Sequence, residues 1–550
     1  MKKNSFIIIF LILIYSNLLY SEGEKISTEL YDAIHISTYE QKPIRLWIYF
    51  KDKDITHSKT LLRNKKQIER LKKAGLTSYN EKDVPVKSDY IDILKQMNVY
   101  PETISNWLNA VSVTLPAKKI YEIENCSFIK RLDVVKSYRR SPERSTENLR
   151  NDRNTRNNVK TSGTGQYGDA LEQLQSVNFP IADELGFSGK GVRICILDAG
   201  YNIQHESLAY CKIVSSYDFV SKDLNVSPQP KDPYGIADHG TAVLSIMSGY
   251  LPGKMIGPAY RADYILARTE EITSSDCVYE DAWVAALEWA DSLGTEIVVS
   301  SAGVILEQIF DNYSSHTTFQ NENPVYVVLK TAAERGILIV SDAPFNYDEF
   351  VMRGLVDSGL DMLLVQSVEE SWTDLDLNKF NGWEVSSGND DKGRDEKSLL
   401  LESLPEDFFV AEAGGNSFYG WRSGSAYLAA IVAASAAVIF EAHPDWTYRQ
   451  LLEAVRSQSM IEGDRIKDVK NSSGLIDIFS VMNTVFPQTS GDLDGNGRID
   501  GNDLALFSEY YINPNAGAAN SQERKSADID GNMIIDGNDL ALLISRIVNK

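Results

Sequence analysis

Short apolar segments alternate with longer segments of helical periodicity between about residue 170 and residue 488. The predicted strands are Val192–Leu197, Tyr264–Ala267, Glu296–Ser300, Gly336–Val340 and Met362–Val365. The predicted helices are Thr241–Ser248, Asp281–Leu293, Pro324–Arg335 and Ala426–Ala442. Strands that alternate with helices imply a parallel sheet with helices on both faces. The sequence therefore predicts an α/β domain over residues 169–488.

Length and net charge indicate several domains and argue against some classes of binding partner. A length of 550 residues leaves room for several domains. The formal net charge of -22 argues against nucleic acid and against an anionic membrane. Lys2 and Lys3 precede an apolar run from Phe6 to Tyr15, which predicts a signal peptide over residues 1–21. A membrane anchor is the alternative, but the run is short for a spanning helix.

The four cysteines do not form a disulfide framework. Their spacing leaves the pairing open, and Cys195, in an apolar strand, is expected to be a core residue. After signal removal we expect an extracellular protein, either free or held at a scaffold or the cell surface.

Two further units precede the α/β domain. The strands Arg45–Phe50, Trp107–Leu115 and Ile129–Val135, with a helix over Lys118–Ile123, predict a small α+β unit over residues 24–140. Residues 141–168 are rich in Arg, Asn, Ser, Thr and Gly. That composition cannot bury a core, so we expect a flexible linker there.

Three segments of the α/β domain carry residues typical of nucleophilic catalysis. Asp198 ends a buried strand, His239 starts an apolar helix, and Ser425 and Ala426 open a second, longer one. The order Asp, His and helix-start Ser is one of the known orders of the Ser-His-Asp triad. In that triad the carboxylate orients the imidazole, which takes the serine proton.

These segments resemble the subtilase family of serine peptidases, whose third motif is Gly-Thr-Ser-x-Ala-x-Pro. Aligned without gaps on His443-Pro444, Gly424 matches the Gly, Ser425 the Thr and Ala426 the nucleophile. The resemblance implies a subtilisin-like fold in which Asp198 and His239 survive. Loss of the serine costs on the order of 10⁶ in turnover. We therefore expect a catalytically impaired homologue, a pseudoprotease.

A second difference from the subtilase motifs also predicts lost activity. The family's strand-end loop ends in Ala-Gly-Asn, whose Asn donates to the developing oxyanion, but Phe345 falls at that Asn position. Losing one such donor costs about 10²–10³ in rate. The alternative is an active endopeptidase with Ser425 as nucleophile and Asn346 as oxyanion donor. That alternative requires a one-residue shift at each of the two places.

The α+β unit resembles the inhibitor-like propeptide of subtilases, which chaperones the catalytic domain and covers its cleft. If the propeptide is retained, a third hypothesis follows, in which the protein is a structural or inhibitory subunit that acts through this domain. An unrelated α+β domain is the plain alternative.

An internal repeat closes the chain, because Asp492–Leu506 recurs as Asp528–Leu542. Both copies have the spacing of an EF-hand loop, in which oxygen ligands bind Ca²⁺. The first loop offers Asp492, Asp494, Asn496, the Arg498 carbonyl, Asp500 and Asp503. The second loop offers Asp528, Asp530, Asn532, the Ile534 carbonyl, Asp536 and Asp539. Two acidic turns without metal are the plain alternative.

Each loop is followed by an amphipathic helix, predicted over Leu504–Tyr511 and Leu540–Val548. Duplicated calcium loops with helices resemble a type I dockerin, here over residues 490–550. The resemblance implies that the partner is a cohesin module of a scaffold protein, as in cellulosome-like assemblies. A calcium-stabilised cap without a partner is the alternative. The leading hypothesis joins these parts in a secreted pseudoprotease that binds peptides or proteins in its cleft and docks onto a cohesin.

We predict that the second calcium loop binds more weakly than the first. Gly497 fills the sharp-turn position of the first loop, whereas Met533 fills it in the second. A non-glycine residue in a left-handed conformation costs about 1–2 kcal/mol. Calorimetric titration of the variants Asp492→Ala and Asp528→Ala, each with one intact loop, measures the two affinities. Equal affinities would refute the prediction.

Overall fold

The fold is described from a computed structural model of the chain. The model describes residues 25–54, 63–76, 80–139, 165–230, 232, 235–271, 277–300, 323–342, 362–367, 399–403, 407–458, 476–482, 493, 499–512 and 537–548. The predicted signal peptide and almost all of the predicted linker lie outside these residues.

The N-terminal domain is a four-stranded antiparallel sheet packed against helices. Its helices are α1 (Thr28–Glu40), α2 (Lys65–Lys73), α3 (Ser88–Gln96) and α4 (Ala117–Glu124). Its strands are β1 (Ile44–Phe50), β2 (Thr103–Ser105), β3 (Ala110–Leu115) and β4 (Ile129–Val134), with a short β5 (Ser137–Arg139) after them. The strand order is β2-β3-β1-β4. Leu46, Ile48 and Val113 are among the residues of its core.

The central domain contains the predicted parallel sheet. Its seven strands are β6 (Arg193–Asp198), β7 (Lys212–Asp218), β10 (Asp263–Arg268), β13 (Ile297–Ser300), β14 (Leu338–Asp342), β15 (Leu363–Ser367) and β16 (Leu399–Ser403). They lie in the order β16-β15-β14-β13-β6-β10-β7, and neighbouring strands pair in parallel. The α/β prediction is confirmed, and the sheet also contains β7 and β16, which the sequence analysis had not singled out.

Helices cover both faces of this sheet. The helices are α5 (Leu171–Gln175), α6 (Phe179–Glu184), α7 (Asp238–Ser248), α8 (Glu280–Ser292), α9 (Pro324–Glu334), α10 (Ser425–Ala442), α11 (Tyr448–Gln458) and α12 (Ile478–Met482). Small strands lie at the rim: β8 (Tyr250–Leu251), β9 (Met255–Ile256), β11 (Glu270–Glu271), β12 (Cys277–Tyr279), β17 (Phe408–Glu412) and β18 (Phe418–Arg422). One core contains α7 and α10, and the other contains α8 and α9. Alternate residues of β6 face the two cores, with Ile194 and Ile196 in the first and Cys195 and Leu197 in the second.

Helix α10 lies in the centre of the first core. With 18 mostly apolar residues, it is long and apolar enough to cross a membrane, but 83% of the helix is buried inside the protein. It contacts β13, β14 and β15 as well as α7. The helix is therefore the core helix that the sequence predicted, because protein rather than lipid covers its apolar surface.

Two predicted boundaries differ from the observed ones for reasons that the structure shows. The predicted strand Trp107–Leu115 begins only at Ala110, because the preceding residues turn and Asn109 has a positive φ of 52°. The predicted linker ended at residue 168, but Tyr167 is buried in the first core. The other predicted elements begin and end within about three residues of the observed ones.

The C-terminal repeat forms two helices, α13 (Gly501–Ile512) and α14 (Gly537–Val548). They contact each other, and Leu493, Phe507 and Leu543 form a small buried core between the two halves of the repeat. Both helices were predicted, although each begins three residues earlier than its apolar periodicity suggested.

We predict that the Leu266→Ala variant destabilises the central domain by about 2–5 kcal/mol. Leu266 lies in β10 and is fully buried in the first core, so truncation leaves a cavity. Leu224→Ala is the matched control, because Leu224 is 73% exposed and its truncation should change stability by no more than about 0.5 kcal/mol. Denaturant unfolding of both variants provides the measurement. Equal effects would contradict this description of the core.

Candidate active site

Asp198 and His239 form a buried pair at one edge of the sheet. The Nδ1 atom of His239 lies 2.7 Å from Oδ2 of Asp198. The other carboxylate oxygen accepts the backbone N–H of Ala199 at 2.7 Å. Asp198 is 1% exposed and His239 is 6% exposed. The carboxylate therefore fixes the ring orientation and directs Nε2 as the nitrogen that would act as a base.

The topology of the sheet explains why this pair lies in a crevice. From β6 the chain first builds β7 and β10 on one side, and then β13 to β16 on the other. The strands that follow β6 in the chain are therefore added first on one side of β6 and then on the other. In open parallel sheets, ligands bind beyond the carboxyl ends of the strands at such a switch point. Asp198 is the last residue of β6, and it lies at this position.

Hydrogen bonds hold the loop after β6 against β6 itself and against helix α7, next to the pair. The hydroxyl of Tyr201 donates to the carbonyl of Ile196 at 2.8 Å. The backbone N–H of Asn202 donates to Oγ1 of Thr241 at 2.8 Å, which joins the loop after β6 to helix α7. Burial raises the pKa of Tyr201 well above its ordinary value, and the charge of Asp198 adds to this effect. Tyr201 therefore remains protonated and serves as a donor. Tyr201 was not among the predicted site residues, although it directly follows Gly200 in the Asp198 loop.

Gly240 allows α7 to approach the Asp198 loop. A Cβ atom at this position would collide with the Gly200 carbonyl oxygen and would lie 3.0 Å from the carboxyl carbon of Asp198. The start of α7 is therefore as close to the loop as a backbone without a side chain permits. This close approach brings His239, the preceding residue, within hydrogen-bond distance of Asp198.

The start of α10 carries the two candidate positions for a nucleophile. The helix begins at Ser425, one residue earlier than predicted, and Gly424 is its N-cap residue with a φ of 149°. The ring of Tyr427 contacts the His239 ring with a centroid distance of 5.5 Å. Ser425 is buried, whereas Ala426 is half-buried. No hydrogen bond between the Ser425 hydroxyl and His239 is found among those of the described residues.

The helix geometry distinguishes Ser425 from Ala426. Successive residues of an α-helix are rotated by about 100°. Relative to Tyr427, which faces His239, Ala426 is therefore rotated by about 100° and Ser425 by about 160° in the other sense. Ala426 therefore lies nearer than Ser425 to the face of α10 from which Tyr427 projects. An earlier helix start is what the Ser425 alternative requires, but this rotation argues against it.

Strand β5 of the N-terminal domain lies along a strand at the rim of the central domain. It pairs antiparallel with β12, with Ser137 opposite Tyr279 and Arg139 opposite Cys277. On its other side β12 pairs with β11, which follows Arg268 at the end of β10. This rim strand therefore accepts an extended segment through backbone hydrogen bonds.

The remaining predicted site residues are only partly described. Asn346, Phe345 and most of the predicted calcium ligands lie outside the described residues. Asp503 and Asp539 are fully buried at the end of their loops. The carboxylate of Asp503 accepts the backbone N–H groups of Leu493 and Asp500, both at 2.7 Å. Buried carboxylates at the last position of each loop fit an oxygen-ligand calcium site.

The fold is a subtilisin-like α/β fold, with a buried Asp-His pair at the carboxyl edge of a parallel sheet. The chain matches three family models. A peptidase S8 propeptide domain of Bacteroidota matches residues 45–151. The subtilase family matches residues 189–342. A dockerin type I domain matches residues 490–548. The chain therefore combines a peptidase S8 propeptide, a subtilase domain and a type I dockerin, as predicted.

The structure is also similar to that of fervidolysin from Fervidobacterium pennivorans, described as a keratinolytic enzyme related to subtilisin. The TM-score is 0.50 at 13% sequence identity, and the match covers 82% of this chain and 62% of fervidolysin. A likeness at this identity shows the fold alone. The chain spans less than two thirds of the length of that enzyme.

We predict that Gly240→Ala separates His239 from Asp198, because the new methyl group forces α7 away from the Asp198 loop. Gly414→Ala is the control, because a Cβ there meets its first neighbour, Phe418, only at 3.7 Å. NMR detects the downfield proton of the Nδ1–H···carboxylate hydrogen bond. We expect this signal in the parent and in the control, and its loss in Gly240→Ala. An unchanged signal in that variant would be evidence against the close approach.

Proposed function

We propose that this protein is a secreted subtilase homologue with little or no peptidase activity, held at a cohesin-bearing scaffold by its dockerin. The rotational position of Ala426 carries the proposal. Ala426 is rotated less from Tyr427 than Ser425 is, and its side chain is only a methyl group. His239 and Asp198 retain the geometry of a base and its orienting carboxylate. A methyl group at the position of the nucleophile carries no proton that this pair could take.

We further propose that the cleft binds extended peptide segments without cutting them. Strand β12 supports this idea, since its edge already pairs with an extended segment, β5. Backbone pairing of this kind gives affinity that depends little on sequence, while neighbouring pockets select side chains. Peptide binding therefore needs neither a nucleophile nor an oxyanion hole.

The dockerin supplies the second half of the proposed function. Type I dockerins bind calcium, and the buried Asp503 and Asp539 support one calcium ion in each of the two loops. Calcium would fold the two halves of the repeat around Leu493, Phe507 and Leu543. The folded module would then bind a cohesin and keep the subtilase domain at the scaffold. Export through the predicted signal peptide brings the protein to calcium-rich surroundings.

The competing function is an active serine endopeptidase that uses Ser425. The start of α10 at Ser425 favours it, as the helix begins one residue before the predicted position. The burial of Ser425 and its rotation away from the Tyr427 face of α10 oppose it. In that alternative Asn346 would donate to the oxyanion, and the protein would remove its own propeptide in the linker.

We predict that a small fluorophosphonate probe does not label the parent protein but labels the Ala426→Ser variant. The new hydroxyl would lie on the side of α10 that His239 can reach, so the imidazole can take its proton. Intact mass and peptide mapping locate the label. The Ser425→Ala variant is the matched control and should match the parent.

Two results would overturn the proposal. Labelling of the parent that disappears in Ser425→Ala would establish Ser425 as the nucleophile. An Ala426→Ser variant that is folded but resists the probe would show that position 426 does not face the imidazole. Loss of residues before about position 168 in the unmodified chain, abolished by Ser425→Ala, would support the same conclusion as the first result.

A further inference from the structure

Helix α8 contacts the N-terminal domain along its whole length. At its first residue, Glu280 accepts a hydrogen bond from Nε1 of Trp47 at 2.7 Å. Further along, Glu288 accepts the backbone N–H of Asn106 at 2.9 Å. Asp291, in the last turn, also contacts the N-terminal domain. A helix of 13 residues spans about 20 Å, so the contact extends from the end of α8 next to the rim strand β12 to the end that precedes β13.

At the end that precedes β13, the contact is made by residues 63–76 and 80–83, here named the clamp segment, which includes α2. Lys66 donates to the carbonyl of Gly191, just before β6, and pairs with Glu296, just before β13, at 3.0 Å. Asn64 donates to the carbonyl of Ser292 at 2.7 Å. The clamp segment therefore lies at the amino ends of the strands, whereas Asp198 lies at a carboxyl end.

Arg70 is the centre of the clamp segment and is only 3% exposed. Its Nε donates to the carbonyl of Arg335 at 3.0 Å, and its other nitrogens donate to the Thr295 carbonyl and the Asp291 carboxylate. These two carbonyl groups lie just after the ends of α8 and α9. A cation at helix carboxyl ends is favoured by the helix dipoles.

Asp291 lies between two guanidinium groups, one from each domain. Arg335, from its own domain, pairs with it at 2.9 Å, and Arg70 reaches it from the clamp segment. Burial raises the pKa of Asp291, but Arg70 and Arg335 outweigh this effect and hold the pKa below its ordinary value. The carboxylate therefore stays charged. If Arg70 alone were replaced, Asp291 would keep Arg335 and the side-chain amide of Gln67 as partners.

Two glycine turns fit closely against the clamp segment. Gly294 and Gly336 follow α8 and α9 with φ values of 76° and 84°. A Cβ atom at Gly294 would lie 2.7 Å from the backbone nitrogen of Gln67, and one at Gly336 would lie 3.1 Å from the Cβ of Ala74. The surface of the central domain is thus shaped to receive α2 at backbone distance.

Apolar residues strengthen the same interface. Trp47, Tyr49 and Trp107 of the N-terminal domain are buried in one core with residues of α8 and α9. Large aromatic side chains supply much of the energy of such interfaces. At the start of α8, β5 pairs with β12 over three residue pairs, and Arg45 pairs with Asp281 at 2.9 Å. The interface is therefore bonded at both ends of α8.

We propose that the clamp segment makes the N-terminal domain a permanent subunit, which stays bound after the chain is cut between residues 140 and 164. The domain then covers α8 in the mature protein instead of leaving as a spent chaperone. This inference deepens the alternative of a retained propeptide. It stands whether or not the protein retains peptidase activity.

Limited trypsin digestion of the full chain tests the proposal, because six arginines lie between residues 139 and 156. Mass spectrometry identifies the cut chains, and size-exclusion chromatography shows whether the fragments co-elute. We expect an equimolar complex that persists in 1 M NaCl, a concentration that screens exposed charges. In Arg70→Ala we expect the dissociation constant of the fragments to rise about 100-fold or more, since a buried charge pair is broken.

Matched variants keep the test decisive if Arg70→Ala does not fold. The double variant Asn64→Ala/Lys66→Ala removes half-buried contacts of the clamp segment and should weaken binding about 10-fold. Lys119→Ala removes an exposed ion pair with Glu122 inside the N-terminal domain and should have no effect. Separation of the parent fragments at 0.15 M NaCl would overturn the proposal. Parent-like affinity in both clamp variants would also do so. Neither result bears on fluorophosphonate labelling, so the two proposals can fail separately.

Discussion

The burial of α10 is the constraint on which the candidate site depends. This apolar helix fills the space between α7 and the sheet, so neither its position nor its rotation can change without repacking the core. At the start of the helix, the Tyr427 ring contacts the His239 ring at a centroid distance of 5.5 Å. The rotation of an 18-residue helix cannot change by one position without moving its buried side chains to new neighbours.

Much of this arrangement could be predicted from the sequence, for identifiable reasons. The strands of the parallel sheet are apolar on both faces, so they are recognisable as short runs such as Ile194–Leu197. Asp198 follows directly, and the topology of parallel sheets places such a residue at the carboxyl edge. His239 could also be recognised from the sequence, because it stands at the start of an apolar helix. The dockerin was the clearest part, because the same spacing of oxygen ligands rarely occurs twice by chance.

Other features depend on contacts between residues far apart in the chain, which periodicity does not encode. The sequence did not indicate that Arg70 lies between two domains, because a basic residue in a charged helix is expected at the surface. The pairing of β5 with β12 joins Arg139 to Cys277, two residues that lie far apart in the sequence. The late start of β3 had a local cause, because Asn109 takes a left-handed conformation that an apolar pattern does not reveal.

The pairing of β5 with β12 also sets a threshold for any ligand of the cleft. Because β5 belongs to the same molecule, it competes for the rim strand at an effective concentration that reaches roughly the millimolar range for short flexible connections. A free peptide must therefore bind β12 more tightly than β5 does, or be present at a higher concentration. Peptides would thus displace β5 only where their local concentration is high.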